Sequence, residues 1–153
     1  MRRFLLLSVA VIVPATGAQA AADRWSFDFG QGVGEYAVGS FAEGGSHLAL
    51  SCAEAGAAPG SRSISLTRAG FAPTAQTAAT FITDKGRATV TLDAQGWARF
   101  PDQAAPEFRN LWRLIGSART LRVAYGAGAP MTFPVTGAAK LLGRTVCPRQ
   151  LAR

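Results

Sequence analysis

Cys52 and Cys147 are the only cysteines of the 153-residue chain, and their chemistry depends on the compartment in which the chain folds. In an oxidising compartment two thiols join as one disulfide. A redox-active pair or a metal site needs a C-x-x-C spacing or further ligands, and neither accompanies these two residues. We therefore predict a Cys52–Cys147 disulfide that pins the C-terminal segment to an early strand.

His47 is the single histidine, so hydrolysis by a Ser-His-Asp arrangement would have to use it. Neither Ser46 nor Ser51 lies in a G-x-S-x-G context, and His47 lies close to Gly44 and Gly45. We interpret it as a solvent-exposed turn residue at the start of a strand. The chain also lacks the H-E-x-x-H and EF-hand spacings of metal sites, so the sequence predicts no metal, no cofactor and no enzymatic activity.

Carboxylates leave one enzymatic alternative open. Acidic side chains that are distant in sequence can meet in a fold and form a pair that hydrolyses glycosides. The sequence selects no pair among Glu35, Glu43, Asp84, Asp93, Asp102 and Glu107. Two acidic side chains that converge in one pocket with raised pKa values would support this alternative.

Arginines provide the candidate binding residues. Arg109 and Arg113 are four residues apart on a predicted helix, and Arg119 and Arg122 follow closely. Such a stripe can contact an anionic envelope polymer, a lipid head group or an acidic protein. The alternative interpretation is a solvated helix face that keeps the protein soluble, with Glu107 offsetting part of the charge.

Residues 1–20, MRRFLLLSVAVIVPATGAQA, have the pattern of a secretory signal peptide. We expect cleavage after Ala20, with Ala22 as the second choice, which leaves residues 21–153 as one domain. The apolar run is about half of the roughly 20 residues that span a bilayer, so no membrane span is predicted after cleavage. Export to the periplasm or beyond also makes nucleic acid an unexpected partner.

Alternation of apolar and polar residues dominates the remaining chain and indicates antiparallel, half-buried strands. Trp25, Phe27 and Phe29 place aromatic side chains on one face of the first strand, and Trp97 and Trp112 are also expected in the core. Turn residues at 84–86 and 94–96 link three consecutive strands into a predicted meander. Glycine-rich stretches at 30–34 and 53–60 predict loops, and Pro134 predicts that the last strand lies at an edge or presents this position outward.

Two segments have helical spacing instead. One helical face of the segment 105–119 combines apolar residues at the i, i+3, i+4 and i+7 positions, namely Phe108, Leu111, Trp112 and Ile115. Pro106 suits its first turn and Gly116 its end. A second, short helix follows Val135, with Thr136 as its expected N-cap and Gly143 as its terminator. The fold class is therefore mainly β, with about seven to nine strands and two helices.

The C-terminal order F-x-V-x-G-x-x-x-x-L-x-x-x-x-C is formed by Phe133, Val135, Gly137, Leu142 and Cys147. It resembles the closing pattern of small periplasmic proteins of Gram-negative bacteria, including type VI secretion accessory proteins and the invasion-associated locus B type. The resemblance implies an antiparallel β-sandwich-like domain in which an edge strand leads into a short helix and a cysteine. It covers residues 133–147 and assigns no functional residue.

The sequence therefore predicts an exported, non-enzymatic binding or accessory protein of the cell envelope. Such a protein should have an exposed apolar or basic patch and no deep polar cleft. An inhibitor of an exported hydrolase is the alternative, acting through a protruding loop at 53–60 or 126–130, and a rigid loop would favour it. The carboxylate-based enzyme is the third hypothesis.

Overall fold

The computed structural model describes residues 23–30, 32–40, 44–53, 62–100 and 105–147. The predicted signal peptide, most of the 53–60 loop and the tail after Pro148 lie outside the described residues. The described ranges are mainly β, as predicted. Their elements in chain order are β1 (Ser26–Gly30), β2 (Val33–Ser40), β3 (Ser46–Ala53), β4 (Arg62–Thr67), β5 (Thr77–Thr83), β6 (Gly86–Leu92), β7 (Trp97–Phe100), α1 (Pro106–Gly116), β8 (Leu121–Tyr125), β9 (Met131–Phe133) and α2 (Ala138–Leu142).

The strands form two antiparallel sheets that enclose one hydrophobic core. The larger sheet has the order β1-β2-β3-β4-β7, and the smaller has the order β6-β5-β8-β9. β9 is an edge strand, as Pro134 predicts, and it ends immediately before this proline. No helix in the described part of the chain is long and apolar enough to cross a membrane.

Inward side chains of both sheets build the core because strand residues alternate between two faces. Leu48 and Leu50 of β3 point inward from the larger sheet, and Leu121 and Val123 of β8 point inward from the smaller one. All four are at most 1% exposed. Their burial removes apolar surface from water, which stabilises the fold by roughly 25 cal/mol per Å².

The helix α1 covers the core with the apolar face that its spacing predicts. Its four apolar residues are fully buried, and the Trp112 ring meets the Tyr36 ring of β2 edge-on, with centroids 4.9 Å apart. The Trp112 indole N–H donates a hydrogen bond to the Leu142 carbonyl oxygen at 2.5 Å. This bond joins α1 to the end of α2.

The predicted meander is wrong at its third strand. β5 and β6 form a hairpin, but β7 pairs with β4 in the other sheet. The Asp93 carboxylate shapes the crossing turn by accepting hydrogen bonds from the N–H groups of Gln95 and Trp97, each at 2.9 Å. Trp97 lies on the outer face of its sheet beside the Arg99 guanidinium, 5.6 Å from its ring centroid, and not in the core as predicted.

The stretch from Gly30 to Gly34 is mostly strand and not the predicted loop. β1 ends at Gly30 and β2 begins at Val33, and these two residues pair at the end of an antiparallel hairpin. Gly32 adopts φ 75°, a left-handed conformation that glycine enters without a steric penalty. β1 lies at the edge of the larger sheet, next to β2.

The helix α2 begins at a different N-cap from the predicted one. Gly137, with φ 87°, occupies that position instead of Thr136, and no side chain caps the helix. A Cβ atom on Gly137 would lie 3.4 Å from the Trp25 carbonyl oxygen, so the close approach also favours glycine. Gly143 ends α2 as predicted.

The predicted disulfide joins Cys52 of β3 to Cys147. The two Cα atoms are 5.7 Å apart across a sequence separation of 95 residues. Closing so long a loop restricts the unfolded chain and thereby stabilises the folded one. The bond also ties the segment that follows α2 to the central strand of the larger sheet.

Candidate binding surfaces

The four arginines predicted to bind a partner lie on three different elements. Arg109 and Arg113 are exposed on α1, Arg119 lies in the connection to β8, and Arg122 points outward from β8. The Arg119 backbone N–H donates a hydrogen bond to the Asp84 carboxylate at 2.7 Å, which holds this connection against the β5–β6 turn. The structure therefore spreads the four charges over several surfaces, and their role in binding stays a prediction.

Arg113 shares a cleft with a second arginine that the sequence pattern does not single out. It lines an open cleft of about 630 Å³ between the last turn of α1 and α2, together with Arg144. The two residues are far apart in sequence, and no spacing rule connects them. The remaining described lining residues are Gly116, Ser117, Ala139 and Gly143.

Arg122 belongs to a basic row on the outer face of the smaller sheet. Cross-strand register places Ile82 of β5 between Arg87 of β6 and Arg122. Neighbouring strands are about 4.8 Å apart, so the two arginine backbones are separated by about 10 Å. Arg87 is a second residue that the sequence analysis missed, because its proximity to Arg122 depends on strand order.

Phe27 and Phe29 form an exposed aromatic edge on β1. Their alternation is confirmed, since both lie on the face that contains Tyr36, whose ring centroid is 4.8 Å from that of Phe27. The prediction of a half-buried strand is wrong: Phe27 is 42% and Phe29 39% exposed. β1 lies beyond β2 at the edge of a five-stranded sheet, and the opposing sheet has only four strands.

The Gly126–Pro130 loop, a predicted binding loop, is held in place by Arg68. One guanidinium nitrogen donates to the Ala129 carbonyl oxygen at 2.9 Å, and the other to the Tyr125 carbonyl oxygen at 3.5 Å. The guanidinium carbon also lies 5.1 Å from the centroid of the Tyr125 ring. The Tyr125 hydroxyl donates in turn to the backbone of Phe71, whose side chain is 76% exposed.

His47 lies within β3 and is half-buried, so the prediction of an exposed turn residue is wrong. Burial lowers the pKa of its imidazole, and the Glu35 carboxylate offsets part of this shift. Ser46 points to the opposite face of the strand, where its hydroxyl accepts a hydrogen bond from the Ala69 N–H at 3.0 Å. Ser51 is about 13 Å along the strand. Neither serine is therefore placed for activation by this histidine.

The carboxylates at the two turns have lowered pKa values. A hydrogen bond from the Arg119 N–H is the main cause for Asp84, and one from the Trp97 N–H for Asp93. A general acid needs a raised pKa, so these two residues do not fit that role. Of the other candidates, Glu35 faces outward on β2, Glu107 is exposed on α1, and Glu43 and Asp102 lie outside the described residues.

The metal-ligating side chains of the described ranges are spread over the fold. Within the described ranges, no three of the histidine, cysteine, aspartate and glutamate residues come together in a group that could hold a metal ion.

Comparison with known proteins identifies a family. No curated protein and no solved structure matches the chain. The model of the family described as YfjT matches residues 23–142, a range that runs from the approach to β1 to the end of α2. The two sheets, the aromatic edge, the Arg68-held loop and α1 all fall within this match. The chain therefore belongs to the YfjT family.

Proposed function

We propose that this protein is an exported, non-enzymatic binding or accessory protein of the cell envelope. It holds a partner protein along the free edge of β1, by accepting an extended segment of that partner as an additional strand. The basic start and apolar run of residues 1–20 support export. The disulfide supports it further, because such bonds persist in oxidising compartments.

The exposed pair Phe27 and Phe29 is the observation on which the proposal depends. Natural proteins protect edge strands with charges, prolines or covering segments, because a bare apolar edge pairs with other chains. β1 has one charge, Asp28, on its opposite face, but it presents two large, exposed aromatic side chains at the edge of the sheet. Aromatic residues of this kind are typical anchors of protein interfaces.

The backbone of β1 is also oriented to pair with a further strand. In an antiparallel hairpin, hydrogen-bonded pairs alternate with non-bonded ones, starting here from the Gly30 and Val33 pair. The polar backbone groups of Phe27 and Phe29 therefore point away from β2, where the Phe29 N–H donates to the Asp28 carboxylate at 2.8 Å, a local bond that a partner strand would replace. Trp25 has the same orientation, and its N–H already donates to the Thr136 carbonyl oxygen at 2.8 Å. A partner strand would continue this ladder along β1.

Charge on the other face of β1 indicates the chemistry of the partner. Asp28 lies directly across from Glu35, and two like charges at such a position destabilise a strand pair. A basic side chain beside them would relieve the repulsion. The partner segment should therefore alternate apolar residues, which contact the phenylalanines, with lysine or arginine.

Capture from envelope extract tests this proposal. The purified protein, immobilised, should retain an identifiable envelope protein that the Phe27→Ser/Phe29→Ser variant fails to retain. Phe71→Ser is the matched control, because it removes a still more exposed phenylalanine at a different site. Equal capture by the edge variant and by the wild type would refute binding at β1.

An inhibitor of an exported hydrolase is the second candidate, and the fixation of the Gly126–Pro130 loop favours it. Protein inhibitors of enzymes use preorganised loops, because a loop that is already ordered loses little entropy on binding. Arg68 supplies this order through its two hydrogen bonds. A Cβ atom on Gly128 would lie 2.8 Å from an Arg68 nitrogen, so the loop and the arginine fit closely.

A hydrolysis assay with variants of Arg68 and of the β1 edge distinguishes the inhibitor from the envelope binding protein. If the protein is an inhibitor, addition of the wild type should slow hydrolysis of purified peptidoglycan or casein by envelope extract. Arg68→Ala should weaken this effect, and Phe27→Ser/Phe29→Ser should leave it unchanged. No effect of the wild type on either substrate would count against this candidate.

A further inference from the structure

The cleft between α1 and α2 combines two positive charges with a rigid floor. Arg113 and Arg144 come from separate segments and line the same open space of about 630 Å³. The floor is close-packed, since a Cβ atom on Gly116 would lie 3.3 Å from the Leu142 Cβ atom. The indole hydrogen bond of Trp112 to Leu142 holds the two helices together at this point.

Among the described residues, neither arginine of the cleft has an acidic partner. As far as the described residues extend, no ion pair or hydrogen bond engages the guanidinium group of Arg113 or that of Arg144. The cleft also has no acidic side chain among its described lining residues. Both side chains are exposed and can reach a ligand.

The C-terminal end of α1 repels an anion in this cleft only weakly. A helix C-terminus is negative because its last carbonyl groups lack partners. The Ser117 N–H donates to the carbonyl oxygen of Arg113 and the Ala118 N–H to that of Ile115, each at 3.1 Å, while the Ser117 hydroxyl donates to the carbonyl oxygens of Arg113 and Leu114. These bonds satisfy much of the negative end, and the two guanidinium groups outweigh the remainder.

We propose that this cleft binds a phosphate monoester, on a soluble molecule or on a lipid head group. A phosphate monoester has a charge between −1.5 and −2 at neutral pH, which two arginines match. The planar guanidinium group donates paired hydrogen bonds to phosphate oxygens. The Cys147 disulfide lies three residues beyond Arg144 and holds that segment near the cleft. This site is separate from the β1 edge and does not depend on the proposed partner.

Titration with two phosphate sources tests the proposal. Glycerol 3-phosphate serves as the soluble probe, and vesicles of phosphatidylcholine with or without phosphatidic acid serve as the lipid probe. At low salt, the amide resonances of Ser117 and Gly143 should shift with at least one probe. Arg113→Ala and Arg144→Ala should each weaken binding by about 10- to 100-fold, as expected for loss of a charge-assisted hydrogen bond.

Lys140→Ala is the matched control, because Lys140 is an exposed cation of α2, four residues before Arg144, and does not line the cleft. It removes the same charge and should change the affinity less than threefold. Equal weakening by Lys140→Ala and Arg144→Ala, or no saturable binding of either probe, would overturn the proposal. Phe27→Ser/Phe29→Ser should bind phosphate normally, so failure of this site and failure of the β1 edge are distinguishable.

Discussion

Removal of the disulfide should cost this fold a large part of its stability. The bond between Cys52 and Cys147 spans 95 residues. In the chain-entropy model, a loop of this length gives about 4 to 5 kcal/mol of stabilisation through the unfolded state. The double variant Cys52→Ala/Cys147→Ala also leaves two alanines in place of the bonded sulfur atoms, and Cys52 is buried. We therefore expect a loss of at least about 4 kcal/mol.

Urea unfolding followed by tryptophan fluorescence measures this loss. With a slope of about 2 kcal/mol per molar urea, the midpoint should fall by about 2 M. The wild type under a reducing agent provides the matched control, because it loses the same bond without a change of sequence. A loss below about 1 kcal/mol in both samples would refute the explanation, since the closed loop would then not restrict the unfolded chain as calculated.

Three further predictions concern the elements around the binding surfaces. Trp112→Phe removes the buried hydrogen bond to Leu142 and should lower the free energy of unfolding by about 1 to 3 kcal/mol in urea melts. Gly96→Ala should lower the free energy of unfolding in urea melts by at least about 2 kcal/mol more than Gly45→Ala does. Both glycines have φ near +80°, but only at Gly96 would a Cβ atom lie 2.5 Å from a backbone oxygen. The lowered pKa of Asp84 implies stability that is present above the ordinary aspartate pKa and is lost as the pH falls through the folded-state value. Asp84→Asn should therefore show a flatter decline of the urea midpoint between about pH 5 and about pH 2.5.

The local sequence pattern predicted the helix α1 well, because its buried face and both of its ends are set by residues within one short segment. Its buried face has a period of 3.6 residues, Pro106 starts it and Gly116 ends it. The disulfide was also predictable, since a chain with two cysteines has one pairing. Even so, the N-cap of α2 was missed, because Gly137 is required there by the approach of Trp25 from the other end of the chain.

Long-range pairing explains what sequence patterns could not predict. The turn at 94–96 has the same residues whether the next strand stays in its sheet or crosses, and the pairing of β7 with β4 decides the outcome. Alternation indicated the face of Phe27 and Phe29, but their exposure depends on the width of the opposing sheet. Arg144 lines the same cleft as Arg113 because α2 packs against α1, and no local motif could predict this arrangement.

Hydrogen exchange of β1 in the presence of the captured partner tests the proposed function most directly. Deuterium uptake of a peptide that covers residues 25–30 should slow markedly when the partner is bound, because backbone groups of Phe27 and Phe29 would then form a new ladder. Uptake around Phe71 and the Gly126–Pro130 loop should not change. Protection of that loop with unchanged exchange in β1 would contradict strand addition at this edge.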